Sequence, residues 1–340
     1  MKYRLLSDTG LFVSELCLGT MTFGGRAQIW EAIGGLDQAA ADELVNRSLE
    51  AGINFIDTAN VYAAGESETM LGKALGARRR DIVLATKVRG RVGQGPNQVG
   101  LSRSHIVEAV EASLKRLGTD YIDLYQIHRP DALTNLEDTL RALDDLVRAG
   151  KVRYIGCSNL EAWTMMKALA ISREQHLERF RCTQSYYSLV GRELERQIVP
   201  LLKDQGLGLL VWSPLAGGFL SGKFTRTGGD EAARRAKFDF PPVNKDKGFE
   251  VIDVLVEVAA RHGVSVAQIA LAWLLAKDFV TSVIIGARKL SQLDDNLKAV
   301  DVKLTNDDLK ALDDVSRIVP EYPAWMDSLG TDRRPGERRY

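Results

Sequence analysis

The chain has 340 residues, 45% of them hydrophobic and 26% charged, and Lys+Arg and Asp+Glu both number 45. That make-up supports an ample core, and the balanced charge excludes the basic excess that general nucleic-acid or membrane-surface binding needs. The scattered cysteines Cys17, Cys157 and Cys182 argue against a disulfide framework or a zinc site, the start Met1–Asp8 lacks a signal-peptide core, and no run reaches 18 apolar residues, so a reducing cytoplasmic setting is expected.

Residues 1–14 read as a small hairpin turning at Asp8-Thr9-Gly10, placed to plug one end of the fold. Short, almost continuously apolar runs then centre near residues 17, 55, 84, 123, 154, 182, 210 and 284. Such runs fit strands covered on both faces, as in a parallel sheet. Helical patterns alternate with them. Ile106, Val107, Val110, Leu114 and Leu117 recur at helical spacing and stop at Gly118. Thr134 with Glu137 predicts a capping box, opening a helix that carries Leu136, Leu140, Leu143 and Val147 up to Gly150. Leu194, Ile198, Leu201 and Leu202 lead to Gly206, and Ser265 with Gln268 opens a helix that buries Ile269, Ala270, Trp273 and Leu274. Residues 292–300 and 306–317 read as two more helices, before a Pro- and Arg-rich tail over 318–340. One long insertion, residues 214–250, comes after the seventh strand and has the length of a functional lid.

Eight strand–helix units predict a (β/α)8 TIM barrel spanning residues 1–340 as one domain. The competing fold, an open doubly wound sheet, requires a glycine-rich phosphate loop after an early strand. The stretch Gly19-Thr20-Met21-Thr22-Phe23-Gly24-Gly25 lacks that spacing.

In such barrels chemistry sits at the C-terminal strand ends. Those ends here offer Asp57 with Tyr62 close behind, Thr86-Lys87, Gln126-Ile127-His128, Ser158-Asn159, Gln184, Trp212-Ser213 and Gly286-Ala287-Arg288. A lone strand-end Asp or Lys is more often half of a structural ion pair, and a lone Tyr more often a packed loop aromatic. Polar groups from seven strands converging on one mouth are harder to obtain by accident. Free tyrosine titrates at about pH 10, so proton transfer at neutral pH needs help. The Lys87 cation would stabilise the phenolate of Tyr62, Asp57 would hold Lys87 charged, and His128 would hydrogen-bond an oxygen gaining charge or relay the proton. The other histidines, His105, His176 and His262, fall in or near predicted helices and suit a surface reading.

With these residues in place the chain resembles the aldo-keto reductases over nearly its whole length. The matching stretches are Gly52–Ala59 with Val61-Tyr62, Ala85-Thr86-Lys87, Asp123–His128, Gly150–Asn159, Ser213–Gly218 with Gly222-Lys223, and Ile285–Arg288. The family's Asp, Tyr, Lys and His tetrad falls on Asp57, Tyr62, Lys87 and His128. The resemblance implies that Tyr62 is the general acid for carbonyl reduction and the base for alcohol oxidation. Asn60 stands where many relatives carry Asp, a departure outside the tetrad that is expected to tune the loop.

The resemblance also implies NADPH or NADP⁺ lying extended across the barrel mouth. Ser158, Asn159 and Gln184 would hold the carboxamide, and Trp212, where many relatives have Tyr, would stack under the nicotinamide. Ser213, Pro214, Leu215, Gly217 and Lys223 fall where the family binds the pyrophosphate. Gly286, Ala287 and Arg288 would meet the 2′-phosphate, with Gln292, Asp295 and Asn296 at the adenine. Gly19, Thr20, Met21 and Asp57 complete the expected cofactor set. Expected walls of a substrate pocket are Met21, Trp30, Tyr62, His128 and Arg129, with Phe23, Phe219, Phe224, Trp325 and Met326 as further candidates. The expected partner is a small carbonyl or alcohol substrate, with no nucleic acid and no membrane, and the oligomeric state is not legible. Two alternatives stand beside the reductase: an NADPH-binding regulatory subunit resembling potassium-channel β subunits, and a sugar or polyol dehydrogenase working oxidatively. The lack of a long N-terminal extension favours the enzyme over the regulatory subunit.

Overall fold

A computed structural model describes residues 1–25, 33–226, 228–229, 235 and 238–329. The strands are β1 (Tyr3–Leu5), β2 (Phe12–Ser14), β3 (Leu16–Gly19), β4 (Phe55–Asp57), β5 (Val83–Val88), β6 (Ile122–Ile127), β7 (Val152–Ser158), β8 (Phe180–Tyr186), β9 (Gly208–Trp212), β10 (Phe224–Thr225), β11 (Gly228–Gly229) and β12 (Ser282–Ile285). Eight of them form a closed parallel barrel in the order β12–β3–β4–β5–β6–β7–β8–β9, at the positions expected from the apolar runs. Flanking helices complete the (β/α)8 TIM barrel, and β1 pairs antiparallel with β2 as the expected hairpin.

Strand alternation explains which side chains reach the barrel interior. Cys17, Phe55, Val83, Ala85, Leu124, Cys182, Leu210 and Ile284 form the inner apolar cluster. Their neighbours Leu16, Leu18, Ile56 and Leu84 pack outward with the helices, as Tyr125 and Ile155 do on the other side. Side chains two residues apart share a face. Gly19, Asp57, Lys87, Gln126, Gln184, Trp212 and Gly286 therefore stand one pleat above the inner cluster, at the C-terminal rim.

The hairpin closes the opposite end. Leu6 and Val13 join the inner cluster and are fully buried, each burial contributing about 1.5–3 kcal/mol. Tyr154 Oη donates to the Thr9 carbonyl at 3.1 Å, and Arg4 Nη2 donates to the Leu275 carbonyl at 2.5 Å. The hairpin turn is tight, with Ser7 and Gly10 both left-handed at φ 57° and 74°.

The helices are α1 (Gln38–Glu50), α2 (Glu66–Leu75), α3 (Arg103–Leu117), α4 (Leu136–Arg148), α5 (Ala162–Glu174), α6 (Ile198–Gln205), α7 (Lys245–His262), α8 (Val266–Leu275), α9 (Leu290–Leu297) and α10 (Asn306–Val315). Ser265 caps α8 as expected, its side chain accepting from Gln268 N. The capping box expected of Thr134 and Glu137 does not form. The Thr134 hydroxyl is drawn to Asp131 Oδ2 at 2.7 Å, and Asn135 caps α4 by accepting from Glu137 N at 2.9 Å.

The described residues of the insertion expected over 214–250 include regular structure. They hold tight turns over Ala216–Ser221 that kink at left-handed Gly217 and Gly218, the small β10–β11 pair, and the first turns of α7, capped by Asn244. His105 is not a surface residue, because it lies buried in the first turn of α3. Cys17, Cys157 and Cys182 are buried free thiols. Among the described residues no single helix is long and apolar enough to cross a membrane.

Candidate active site

Asp57 ends β4, and the chain turns at once into a short segment that presents Tyr62. Lys87 stands near the end of the neighbouring strand β5 and is fully buried. Its ammonium has three protons and meets three acceptors: Asp57 Oδ2, the Thr58 carbonyl at 2.9 Å, and Tyr62 Oη at 3.3 Å. Burial alone would push the lysine pKa down, but the charges and hydrogen bonds of Asp57 and Tyr62 prevail and hold it above its ordinary value. The Lys87 ammonium also lies 5.1 Å from the centre of the Tyr62 ring.

The other carboxylate oxygen of Asp57 is equally committed. Gln184 Nε2 donates to Oδ1 at 2.8 Å, and Gln126 Nε2 donates to the same atom at 3.1 Å. A buried carboxylate with one ammonium and two amide donors is well compensated for leaving water. The sequence pattern assigned Gln184 to a carboxamide and gave Gln126 no role. The signal for both was the two-residue step from Leu124 and from Cys182 on the inner face.

His128 follows β6 and faces Tyr62 edge-on, with ring centres 5.8 Å apart at 77°. Burial, reinforced by the cations of Lys87, Arg129 and Arg89, lowers its pKa to about 3. His128 is therefore a neutral imidazole at ordinary pH, a hydrogen-bond partner rather than a cation.

Around this group the mouth opens into a cavity of about 560 Å³. Every described residue of the expected cofactor set lines it except Thr20. The Thr20 hydroxyl is buried behind the site, sharing a hydrogen bond of 2.9 Å with Ser67. Met21, Tyr62, His128 and Arg129 also line the cavity, while Trp30 lies outside the described residues. The further pocket candidates do not reach it. Phe23 is buried in the outer core, Phe219 packs on Phe224 and Phe249, and Trp325 and Met326 are exposed on the tail. Loops bring in Val61 and Phe240, the first turn of α8 brings in Ala267, and Ile33 also lines the cavity, none of which a strand pattern announced.

On the wall next to Tyr62, Asn159 links three elements. Its amide donates to the His128 carbonyl at 3.0 Å and to Ser158 Oγ at 2.9 Å, and its oxygen accepts from Trp212 Nε1 at 3.1 Å. Trp212 stacks against Phe240, ring centres 5.9 Å apart and 8° from parallel, and packs on Tyr186. Asn159 and Ser213 hold left-handed backbone, φ 57° and 50°, a strain that clusters at functional sites. Asn60 is buried, with no hydrogen-bond partner for its side chain among the described residues.

The rest of the cavity is built of open backbone and cations. A Cβ added to Gly218 would meet nothing within 4 Å, and one on Gly286 would meet only the Gly19 carbonyl at 3.9 Å. Lys223 and Arg288 line the cavity beyond β9 and β12, and α9 begins just after Arg288. Asp295 is tied to Ser265 Oγ at 2.8 Å and to Gln268 Nε2 at 2.6 Å. Hydroxyl and amide groups near Tyr62, bare glycine backbone, and cations by a helix N-terminus form a donor set that fits a dinucleotide.

The sequence model of the aldo/keto reductase family matches residues 15–317. An oxidoreductase of Bacillus subtilis, YrpG, is 38% identical, covering 96% of this chain and all of that protein. A probable voltage-gated potassium channel subunit beta of rice is 39% identical over 89% of this chain and 92% of its own length. Versiconal hemiacetal acetate reductase of Aspergillus parasiticus is 36% identical over 92% and 96% of the two chains. The chain belongs to the aldo/keto reductase family and is an NAD(P)-dependent oxidoreductase.

Proposed function

We propose that this protein reduces aldehydes or ketones to alcohols with NADPH, Tyr62 acting as the general acid, and that it runs the reverse oxidation when alcohol and NADP⁺ are in excess. The observation that carries the proposal is the Lys87–Tyr62 hydrogen bond of 3.3 Å, anchored on buried Asp57 and placed at the wall of the cavity. When bound, the dihydronicotinamide supplies the hydride. The protein's residues manage the proton and the charge that develops on the carbonyl oxygen.

Lys87 donates to the Tyr62 oxygen, and Tyr62 passes its phenol proton to the substrate oxygen. As that proton departs, the phenolate forms beside an ammonium already in place, which stabilises it without reorganisation. Asp57 keeps the ammonium protonated, and the amides of Gln126 and Gln184 keep Asp57 in position. Neutral His128 donates to the carbonyl oxygen and orients the substrate toward Tyr62. Ser158 and Asn159 hold the carboxamide, Trp212 supplies a stacking face, and Lys223 and Arg288 meet the phosphates. The guanidinium of Arg288, beside the start of α9, favours NADPH over NADH. The buried free thiols suit the reducing cytoplasm.

The likeness to the rice channel subunit supports a second reading, a cofactor-binding subunit that acts on a partner protein. A panel of aldehydes and ketones assayed with NADPH and with NADH separates the two. The reductase turns over members of the panel, and Tyr62→Phe lowers kcat by at least about a hundredfold, the scale of general acid catalysis. Tight NADPH binding without turnover, indifferent to Tyr62→Phe, supports the subunit instead. Faster rates with NADP⁺ and polyols than with NADPH and aldehydes assign the oxidative direction.

A further inference from the structure

Arg129 comes directly after His128 and lines the cavity, with its side chain exposed at the rim. It makes no hydrogen bond or ion pair with any described residue, whereas many of the arginines elsewhere in the chain are held by a carboxylate. The two carboxylates among the described lining residues are spoken for: Asp57 by Lys87 and two glutamines, Asp295 by Ser265 and Gln268. Nearby Asp131 accepts from Leu101 N of the loop after β5 at 2.8 Å and from Thr134 Oγ1 at 2.7 Å, and its charge interacts with Arg89 rather than pairing with Arg129.

A second guanidinium stands beside it. Arg89 follows β5, and its Nε donates to the Pro130 carbonyl at 3.2 Å, which ties the loop after β5 to the loop after β6. Arg89 holds a backbone φ of 122°, a strained value for a side chain of that size. Both cations act on His128. Arg89 also acts on Asp131, so the charge that reaches the cavity mouth beside the proton donor is that of Arg129.

That charge is not placed for the cofactor's phosphates. Arg288 and Lys223 follow β12 and β9, which are adjacent in the barrel, while Arg129 follows β6. In an eight-membered ring β6 and β12 stand four strands apart, on opposite sides of the mouth. A cation so placed, with an open face and a hydroxyl donor nearby, fits the far end of a bound substrate.

We infer that Arg129 is a specificity-determining residue that selects carbonyl substrates carrying an anionic group, a carboxylate or a phosphate, beyond the reacting carbon. The inference rests on the reductase function proposed for this site. Arg129 binds the anion while Tyr62 and His128 take the carbonyl oxygen. An aldehyde lacking the anion leaves the guanidinium in water and loses that contact.

The test compares matched pairs with NADPH: 4-oxobutanoate against butanal for a carboxylate, and glyceraldehyde 3-phosphate against glyceraldehyde for a phosphate. The anionic member of one pair is expected to have a kcat/KM about tenfold higher, carried mainly by KM, and the pair that shows it identifies the anion. Arg129→Gln should abolish the preference and Arg129→Lys should keep most of it. Raising ionic strength should shrink it in the unaltered protein, because the group is exposed. Equal kcat/KM within both pairs overturns the inference, and so does a preference that survives Arg129→Gln. If no member of either pair and no neutral aldehyde is reduced, the failure lies with the reductase function itself.

Discussion

The Lys87 ammonium is locked between Asp57 and Tyr62, with all three of its protons directed at acceptors and no solvent exposure. Removing one partner of such a pair leaves the other charge buried and uncompensated, a loss of about 3–5 kcal/mol. Lys87→Met is therefore expected to lower stability by that amount in urea unfolding and to lower kcat by at least about a hundredfold. The double variant Lys87→Met with Asp57→Asn should be more stable than Lys87→Met alone, because the orphaned charge is gone, yet equally inactive. A double variant less stable than the single would mean that the pair is not the source of the loss. The raised lysine pKa sets the sign for alkali. Its contribution is fully present below the unfolded value of about 10.4 and is lost as pH rises through the higher folded value, so the unaltered protein should outlast Lys87→Met most clearly below pH 10.

His128 behaves in the opposite sense. Its folded pKa of about 3 lies below the unfolded value of about 6.5, so the unfolded chain takes up a proton that the folded chain refuses. Its contribution to stability is present above about pH 6.5 and is lost as pH falls toward 3. His128→Gln should flatten the stability profile across that window. Nuclear magnetic resonance of the imidazole should show a neutral ring from pH 8 down to pH 5. A His128 ring that titrates near pH 6.5 would contradict this.

Much of this arrangement was legible because strands have a period of two. Once Cys17, Phe55, Ala85, Leu124, Cys182 and Leu210 are recognised as inward-facing, the next inward residues are Gly19, Asp57, Lys87, Gln126, Gln184 and Trp212. The eight-strand count then brings them to one rim. The roles of Gln126 and Gln184 as donors to Asp57 were not legible, because a side-chain amide reads the same whether it faces a ligand or a neighbouring carboxylate. The same limit applies to Thr20, which sits beside the cavity residues Gly19 and Met21 but turns its hydroxyl to Ser67. Phe240 was invisible for another reason. It comes from an aperiodic loop, and only its stacking on Trp212 reveals its place. The Thr134 capping box failed because a hydroxyl has more than one acceptor in reach, and Asp131 won it.

The two amide donors to Asp57 Oδ1 provide the third prediction. A hydrogen bond to a charged acceptor contributes about 1.5–3 kcal/mol, and both donors share one oxygen. Gln184→Leu and Gln126→Leu should each destabilise by about that amount and reduce kcat more than they raise the KM for substrate. Because the donors support the same atom, the double variant should lose more than the sum of the two singles, the signature of coupled neighbours. Strict additivity in a double-mutant cycle would show that the amides do not act through Asp57.

Arg288 carries the last prediction. Its guanidinium lies on the cavity beside the start of α9, and its backbone N–H donates to Gln292 Oε1 at 2.9 Å. That bond belongs to the backbone, so it survives a change of side chain. Arg288→Ala therefore removes the charge and keeps that backbone bond to Gln292. A 2′-phosphate exists in NADPH and not in NADH, so the loss must differ between them. The Kd for NADPH should rise by at least about tenfold, the scale of one charge-assisted contact, while the Kd for NADH changes by less than about twofold. The NADPH affinity of the unaltered protein should fall steeply with salt and that of the variant less so. Fluorescence titration with both cofactors measures these quantities directly. Equal losses for the two would place Arg288 elsewhere on the dinucleotide.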